Sequence, residues 1–172
     1  SGAAMTKFEA SSKSSAVLAH EAVSEALAQS GLFVKDLDAI VFSNLLFPGE
    51  RQRHFASIFS SIFKTNIPII HTSAACAGGG AAIWSANRMD FNKVLVLGVE
   101  KLSNMDTKTI TDEFMMAAER NWEQSEGLIF PAQNSLLCQQ YMQKYPETNM
   151  DHLAKIAFKN HTNGSKNPKA RF

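Results

Sequence analysis

The first hundred residues alternate between apolar stripes with helical spacing and short runs rich in β-branched and aromatic residues. One stripe begins after Ser14 and ends at Gly31, a residue type that commonly closes a helix in a left-handed turn. A second stripe, at residues 55–63, carries a large apolar side chain every three or four positions. A third helix is predicted at residues 74–87, which consist mainly of Ala and Gly.

Strands are predicted between and after these helices, at residues 39–42, 67–72 and 93–99. Pro68 cannot donate a hydrogen bond to a neighbouring strand, so it favours the beginning of its strand or an exposed edge. The resulting order alternates helix and strand. That alternation is typical of the α/β class, with a mostly parallel sheet and helices on both faces.

The chain changes character near residue 103, where polar segments and helical patterns replace the strands. We expect a loop at residues 103–111 and then three helices: one at residues 115–122, one from Pro131 to Lys144, and one opened by a capping box of Thr148 and Asp151 and closed near Gly164. The chain therefore divides into an N-terminal core at residues 1–102 and a mainly helical covering region at residues 103–172. Three strands are few for this many helices, so we expect a first strand and a later strand to be missing.

The composition narrows the possible partners of the chain. Its 17 Lys and Arg residues are balanced by 16 Asp and Glu residues, which gives a net charge of +1. Nucleic-acid binding needs a concentrated basic patch, so this balance argues against it. No window reaches the roughly 18 to 20 uninterrupted apolar residues of a membrane span, and the first residues lack the order of a secretory signal. We therefore expect no transmembrane segment.

The histidines and cysteines show no metal-ligand spacing, so we expect no metal site. Cys76 and Cys138 are too far apart along the chain for a Cys-x-x-Cys pair. Two cysteines also do not make a disulfide framework, so a reducing, cytoplasmic setting is expected.

Cys76 is the residue whose position most clearly suggests chemistry. A predicted strand leads to a turn, and Cys76 falls in the first turn of the helix that follows. Backbone N–H groups and the positive end of the helix dipole favour a thiolate there, and the same N–H groups suit an acyl oxyanion. The alternative interpretation is a buried, inert cysteine among alanines. The three glycines that follow lack the spacing of a phosphate-binding loop.

Residues 73–79 (SAACAGG) resemble the nucleophile region of thiolases, in which a cysteine follows a strand within a helix of small residues. Other segments resemble the same family in the same order: residues 5–8 (MTKF), 97–101 (LGVEK), 127–131 (GLIFP) with Tyr141 and Met142, and 159–163 (KNHTN) followed by 167–170 (NPKA) and Phe172. The last group is similar to a signature of the sterol-carrier-protein-x and archaeal type of thiolase. The resemblance covers essentially the whole chain.

The resemblance implies a thiolase-like layered fold, of which this chain is the N-terminal half with a buried central helix. It implies an acyl-CoA acyltransferase of lipid and fatty acid metabolism. In that reaction Cys76 forms an acyl-enzyme, and CoA or acetyl-CoA then takes the acyl group. Coenzyme A and its acyl esters are expected as substrates, and no permanently bound cofactor is expected. His161, in the segment at residues 159–163, is a second candidate catalytic residue.

The family's activating histidine and its second, acid/base cysteine belong to the C-terminal half, and neither motif is present here. Cys138 lies in the covering region and is expected to pack in a core instead. We expect His71 to pack locally and Glu100 to order loops at the sheet edge. Because the activating base is missing, we expect this chain alone to be inactive in thiolysis.

Two other functions stay open. One is a non-catalytic acyl-CoA or lipid-binding subunit built on a thiolase-like fold. The other is a relative of the ketoacyl synthases, which would take its acyl group from a carrier protein. The resemblance to thiolases implies a homodimer or homotetramer that forms through the strand from Ile67 to Thr72. The compartment is expected to be cytoplasmic, or peroxisomal in a eukaryote.

Overall fold

The computed structural model describes residues 1–45, 50 and 52–172. The chain forms two compact units. The first contains Ser1–Thr6 and Ala10–Asn104, and the second contains Lys7–Glu9 and Met105–Phe172.

The first unit alternates helices and strands. Its elements are α1 (Ser15–Ser30), β1 (Ala39–Ser43), α2 (Phe55–Phe63), β2 (Ile69–Thr72), α3 (Gly78–Ala86) and β3 (Val94–Gly98). The predicted type and order of all six are confirmed, and their ends differ from the predicted ones by a few residues. In the described residues 1–14, no helix or strand is formed.

Helix α1 shows why the sequence signals at its two ends were reliable. The Ser14 hydroxyl accepts a hydrogen bond from the Val17 amide at 3.3 Å, which satisfies one of the unpaired donors of the first turn. At the other end Gly31 has φ +67° and donates to carbonyls of the last turn. Ala19 and Val23, four positions apart, form the buried side of the helix.

The three strands form one parallel sheet in the order β2-β1-β3. Strand β1 lies in the centre, and all five of its residues are buried. A parallel strand of this kind must be covered on both faces, which explains its continuous apolar sequence. The α/β class and the parallel sheet predicted from the sequence are confirmed.

Helices α2 and α3 cover opposite faces of β1. On one face the Phe42 ring meets the Phe59 ring of α2 edge to face, with centroids 5.2 Å apart. The neighbouring residue Ser43 lies against Gly78 of α3. Successive strand residues point to opposite faces, so the two helices lie on opposite sides. Right-handed connections require this, because the chain moves outward from β1 to β2 and then back across to β3.

The apolar core lies between the sheet and the two helices α1 and α2. Phe59 is fully buried at its centre, and its ring packs against three other aromatic rings. The buried members of this core are Ala19, Val23, Ile40, Phe42, Phe55, Phe59, Phe63, Leu97 and Val99.

Helix α3 is buried on one side only. Gly78 and Ala82, four positions apart, face the sheet and are buried. On the outer side Ile83 is 55% exposed and Trp84 is 62% exposed, with the Arg88 guanidinium 4.9 Å from the Trp84 ring. The resemblance implies a buried central helix. In the described chain, α3 is buried only on the side that faces the sheet.

The second unit is helical, as the sequence predicted for the covering region. It contains α4 (Thr107–Met115), α5 (Phe130–Lys144) and α6 (Met150–Gly164), with a single π-helical turn at Arg120–Gln124. None of the described residues from 105 to 172 belongs to a strand.

The predicted loop at residues 103–111 is wrong in its second half, because α4 begins at Thr107. Asp106 caps this helix by accepting from the Thr109 amide at 3.0 Å and from the Thr109 hydroxyl at 2.6 Å. Those bonds, the hydroxyl bond first, hold the pKa of the Asp106 carboxyl below its ordinary value. The sequence showed an Asp followed by Thr-Lys-Thr, and this capping signal was missed.

The helix predicted at residues 115–122 is also wrong. Helix α4 ends at Met115, and Glu119 then caps the short π-helical turn. Its carboxylate accepts from the Asn121 amide at 2.9 Å and from the Trp122 amide at 2.8 Å. One acidic side chain thus starts a new turn where the apolar pattern indicated a continuous helix.

The start of α6 lies one residue later than the predicted capping box of Thr148 and Asp151. Asn149 is the cap, and its side-chain oxygen accepts from the Asp151 amide at 3.0 Å. His152 takes the place of the reciprocal acid, since its Nδ1 accepts from the Asn149 amide at 3.1 Å. The capping geometry was predicted, but the residues that form it were not.

The helices of the second unit have little core of their own. In the described chain α4, α5 and α6 contain no buried residue. Large apolar side chains on them are exposed, including Leu137 at 65% and Phe158 at 75%. Among the described residues, no helix is both long and apolar enough to cross a membrane.

Replacing Phe59 with Ala should lower the free energy of unfolding of the first unit by about 3–5 kcal/mol, because it removes a fully buried ring and leaves a cavity. The matched control is Phe33→Ala, whose ring is 67% exposed and which should cost less than about 1 kcal/mol. Urea unfolding followed by Trp84 fluorescence, in a Trp122→Phe background, measures both. Equal losses for the two variants would contradict the core described here.

Candidate functional site

Cys76 lies in a tight connection between β2 and α3. Strand β2 ends at Thr72, a 3₁₀ turn spans Ala75–Ala77, and α3 begins at Gly78. The predicted sequence of strand, turn and helix is therefore present. Cys76 is exposed, which removes the alternative of a buried, inert side chain in the described chain.

The turn uses some of its amides internally and leaves another open. Ala77 N–H donates to the Ala74 carbonyl at 2.9 Å, and Gly78 N–H donates to the Ala75 carbonyl. Among the described residues, no acceptor is found for the N–H of Cys76 itself. The turn therefore uses some of the backbone N–H groups that were expected to be unpaired at the start of α3. The Cys76 N–H, beside the thiol, stays available for a substrate.

The backbone of the turn is strained just before the thiol. Ala75 has φ +45°, in the left-handed region that side chains with a Cβ rarely adopt. Such a residue costs on the order of 1–3 kcal/mol and persists only where the surrounding structure enforces it. The strain lies next to the residue that the sequence singled out as chemically interesting.

The carboxyl ends of the three parallel strands lie side by side and include the polar residues Ser43 and Thr72. Ser43, Thr72 and Gly98 lie side by side in the register. Just beyond β3, the Glu100 carboxylate accepts from the amide of Leu45, two residues after the end of β1, at 2.7 Å. The predicted role of Glu100 in ordering loops at this edge agrees with that bond.

A second carboxylate contact was not predicted. Glu50 accepts from the Ser15 amide at 2.7 Å, and Ser15 is 1% exposed at the start of α1. A negative charge at this position is favourable because it meets the unpaired donors and the dipole of the helix. The two residues are 35 positions apart, so no local pattern signals the contact.

His71 does not belong to the Cys76 turn. Its ring stacks on the Phe42 ring, with centroids 4.6 Å apart and an angle of 17° between the planes. Phe42 faces the core of α1 and α2, so His71 lies on the side of the sheet opposite α3. The predicted local packing of His71 is confirmed.

His161 lies in the last turn of α6, in the second unit, whereas Cys76 lies in the first. It is exposed, and its ring centroid is 6.0 Å from that of Phe172. Phe8, Arg171 and Phe172 line an open cavity with it, of about 510 Å³. The Phe8 amide donates to the Lys169 carbonyl at 2.9 Å.

Cys138 lies in α5 and is half-buried. The expectation that it packs in a core is therefore wrong for the described chain, because α5 has no buried residue to form one. Both cysteines are free thiols. Within the described ranges, no group of three or more His, Cys, Asp or Glu side chains is arranged to hold a metal ion.

The comparison with known families agrees with the resemblance of the motifs. The family described as the thiolase N-terminal domain matches residues 1–172, the whole chain. The chain belongs to the thiolase family.

Individual relatives carry three kinds of name. An acetyl-CoA acetyltransferase from Methanothermobacter thermautotrophicus is 32% identical over 155 residues, which cover 86% of this chain and 39% of the relative. Human sterol carrier protein 2 is 29% identical over 186 residues, covering 99% of this chain and 34% of the relative. A mycobacterial β-ketoacyl-[acyl-carrier-protein] synthase III from Mycobacterium avium is 36% identical over 101 residues, covering 56% and 30%.

These relatives are much longer than the segment they share with this chain. The matched part is 39% of the acetyltransferase and 34% of the sterol carrier protein. The comparison therefore concerns the N-terminal domain, and not the residues that the relatives carry beyond it.

Replacing Ala75 with Gly should raise the free energy of unfolding by about 1 kcal/mol, because glycine adopts a positive φ without a steric penalty. The same change at Ala81, inside α3, should lower it by about 1 kcal/mol, since glycine is a poor helix former. Urea unfolding compares the two variants. A loss of stability in both would show that the turn is not strained at Ala75.

Proposed function

We propose that the protein is an acyl-CoA acyltransferase of the thiolase type and that Cys76 is its nucleophile. One observation supports this above the others. The exposed Cys76 thiol lies in a strained turn at the start of α3. Beside it is the Cys76 backbone N–H, which donates a hydrogen bond to none of the described residues. A nucleophile needs access to its substrate, and an acyl transfer needs a donor for the oxygen that becomes negative.

In the first step the Cys76 thiolate attacks the carbonyl carbon of an acyl-CoA thioester. A new carbon–sulfur bond forms, and the carbonyl electron pair moves onto the oxygen. The N–H of Cys76 is suited to donate to that oxyanion, as the amide of a nucleophile does in other acyl-transfer sites. When the intermediate collapses, the carbon–sulfur bond to CoA breaks, and the CoA thiolate leaves and takes up a proton.

In the second step the acyl group leaves Cys76 for a second substrate. CoA takes it in the degradative direction, and the enolate of acetyl-CoA takes it in the condensing direction. The name of the archaeal acetyl-CoA acetyltransferase supports acetyl-CoA as one of these substrates. Dividing the transfer into two steps replaces one difficult reaction with two easier ones.

The thiol proton must pass to a base before the first step. His71 lies on the other face of the sheet and does not serve this purpose. We propose that the activating histidine and the acid/base cysteine belong to the part of the relatives beyond the shared segment. A role of His161 in proton transfer stays a prediction, and the exposure of its side chain at the end of α6 supports it.

A ketoacyl synthase function is the second candidate, and the 36% identity to a β-ketoacyl-[acyl-carrier-protein] synthase III supports it. The same cysteine would then accept its acyl group from a carrier protein. The relatives named sterol carrier protein 2 support a third candidate, a lipid or acyl-CoA binding subunit without acyl transfer.

We also propose that the protein associates as a homodimer or homotetramer through β2. This strand lies at one edge of the sheet, with β1 as its neighbour, and Ile70 on it is 36% exposed. An edge strand that pairs with its copy satisfies its outer backbone groups and is protected from uncontrolled aggregation.

Incubation with acetyl-CoA of the protein made from its complete reading frame should add one acetyl group, and peptide mapping should place it on Cys76. Cys76→Ser should abolish the thioester adduct. Cys138→Ser is the matched control and should leave it unchanged, because Cys138 lies outside the proposed site. Intact-mass measurement after a short incubation reads out each variant.

Three results would decide between the candidates. An adduct on Cys138 alone would exclude Cys76 as the nucleophile. Acylation from a carrier-protein thioester but not from acetyl-CoA would favour the ketoacyl synthase. Undiminished binding of acyl-CoA by Cys76→Ser, with no adduct in the unchanged protein, would favour the binding subunit.

The isolated chain should show no thiolysis of acetoacetyl-CoA, because the proposed activating histidine and acid/base cysteine lie beyond the shared segment and His71 faces away from Cys76. Loss of the thioester absorbance on addition of CoA measures the reaction, and the complete protein is the positive control. A steady rate from the chain alone would overturn the proposed division of the catalytic groups. A downstream Gly-His-Pro and a Cys-x-Gly in the reading frame would support it.

A further inference from the structure

The first turn of α3 approaches the sheet at a single close contact. A Cβ atom placed on Gly78 would collide with the side-chain oxygen of Ser43, closer than real Cβ contacts allow. Gly78 has φ −54° and ψ −42°, ordinary helical values that any residue adopts. The absence of a side chain at this position therefore matters for space, and not for backbone freedom.

The other two glycines of the run have no such constraint in the described chain. A Cβ atom on Gly79 or on Gly80 would have nothing within 4 Å. Both are exposed, whereas Gly78 is buried. The three glycines look equivalent in the sequence, but only the first one touches the sheet.

Ser43 is a firm partner for this contact. It is 3% exposed at the end of the central strand, and it pairs with Thr72 on one side and Gly98 on the other. Its carbonyl also accepts from the Val99 amide at 3.2 Å. The backbone of Ser43 is held from both neighbouring strands, so an added Cβ at position 78 requires the Ser43 hydroxyl to rotate or the start of α3 to shift.

The contact lies next to the turn that carries the thiol. Gly78 N–H donates to the Ala75 carbonyl and so closes the 3₁₀ turn with Cys76 at its centre. A shift of the first residue of α3 would therefore move Ala75 and change the position of the Cys76 thiol and amide. Distances at a reacting centre matter, since a misplacement of about 1 Å costs on the order of a hundredfold in rate.

We propose that Ser43 and Gly78 are a positioning pair that sets the place of Cys76 at the carboxyl edge of the sheet. Ser43 acts only through Gly78 and touches no substrate. The proposal rests on the proposed function in one respect, that the Cys76 thiol is the group whose position matters.

The test is a set of four variants of the 172-residue chain: Gly78→Ala, Gly80→Ala, Ser43→Ala and the double variant Ser43→Ala with Gly78→Ala. The readout is the second-order rate of alkylation of Cys76 by iodoacetamide across a range of pH, with Cys138 as the internal reference. Thermal unfolding is measured in parallel. Alanine at position 43 keeps the Cβ, which an added Cβ at 78 would meet at 3.4 Å, an ordinary contact.

Gly78→Ala should change the Cys76 alkylation rate by about tenfold or more and alter its pH profile, while the Cys138 rate stays the same. Gly80→Ala should stay within about twofold of the unchanged chain, because its Cβ meets nothing. The double variant should return the rate and the profile to within about twofold. A changed Cys76 rate with an unchanged Cys138 rate is the result that a general loss of stability would not produce, and rescue by removal of one oxygen atom assigns the change to the contact with Ser43.

Two outcomes would overturn the proposal. One is an unchanged alkylation rate and pH profile in a folded Gly78→Ala chain, even with a lower melting temperature. The other is a double variant that is not rescued, which also covers the case in which Gly78→Ala alone fails to fold. Alkylation needs no acyl-CoA, so absence of an acyl-enzyme in the complete protein would contradict the proposed function and leave this result standing.

Discussion

The structure of the first unit depends on the complete burial of its central strand. All five residues of β1 are removed from water, so both of its faces must be covered and both of its edges must be paired. The two faces are filled in different ways. Aromatic rings around Phe59 cover one face, whereas the small residues Gly78 and Ala82 bring α3 against the other. The second arrangement places Cys76 at the carboxyl edge of the sheet.

Packing of small residues has a consequence for the chemistry. A helix that lies against a strand through glycine and alanine has little freedom to change its distance from the sheet, because the backbone atoms themselves come close. The turn before α3 must then connect β2 to a helix whose place is already set. The left-handed φ of Ala75 is a result of that short connection. Strain of this kind is concentrated at functional sites, where it holds a group in a useful position.

The second unit is stabilised by different means. In the described chain α4, α5 and α6 carry no buried residue. The starts of α4, the π-helical turn and α6 are capped by side chains that accept from nearby amides, those of Asp106, Glu119 and Asn149. Each such cap is worth about 1 kcal/mol, far less than a buried aromatic ring. Apolar side chains such as Leu137 and Phe158 stay exposed in the chain described here. The relatives extend well beyond the shared segment, which is 39% of the archaeal acetyltransferase.

The sequence by itself determined the local features of this protein. In the first unit the order of helices and strands followed from apolar spacing, the ends of α1 from Ser14 and Gly31, and the candidate nucleophile from a cysteine that follows a strand. The sequence located the helix caps only approximately, because neighbouring polar residues can each form the same cap. Thr148 was the predicted cap of α6, and Asn149 forms it in the structure. The tertiary structure alone decided which glycine touches the sheet, that His71 faces away from Cys76, and that Glu50 meets the start of α1. Each of these depends on residues that are distant in the chain and become neighbours only when β1 is placed between β2 and β3.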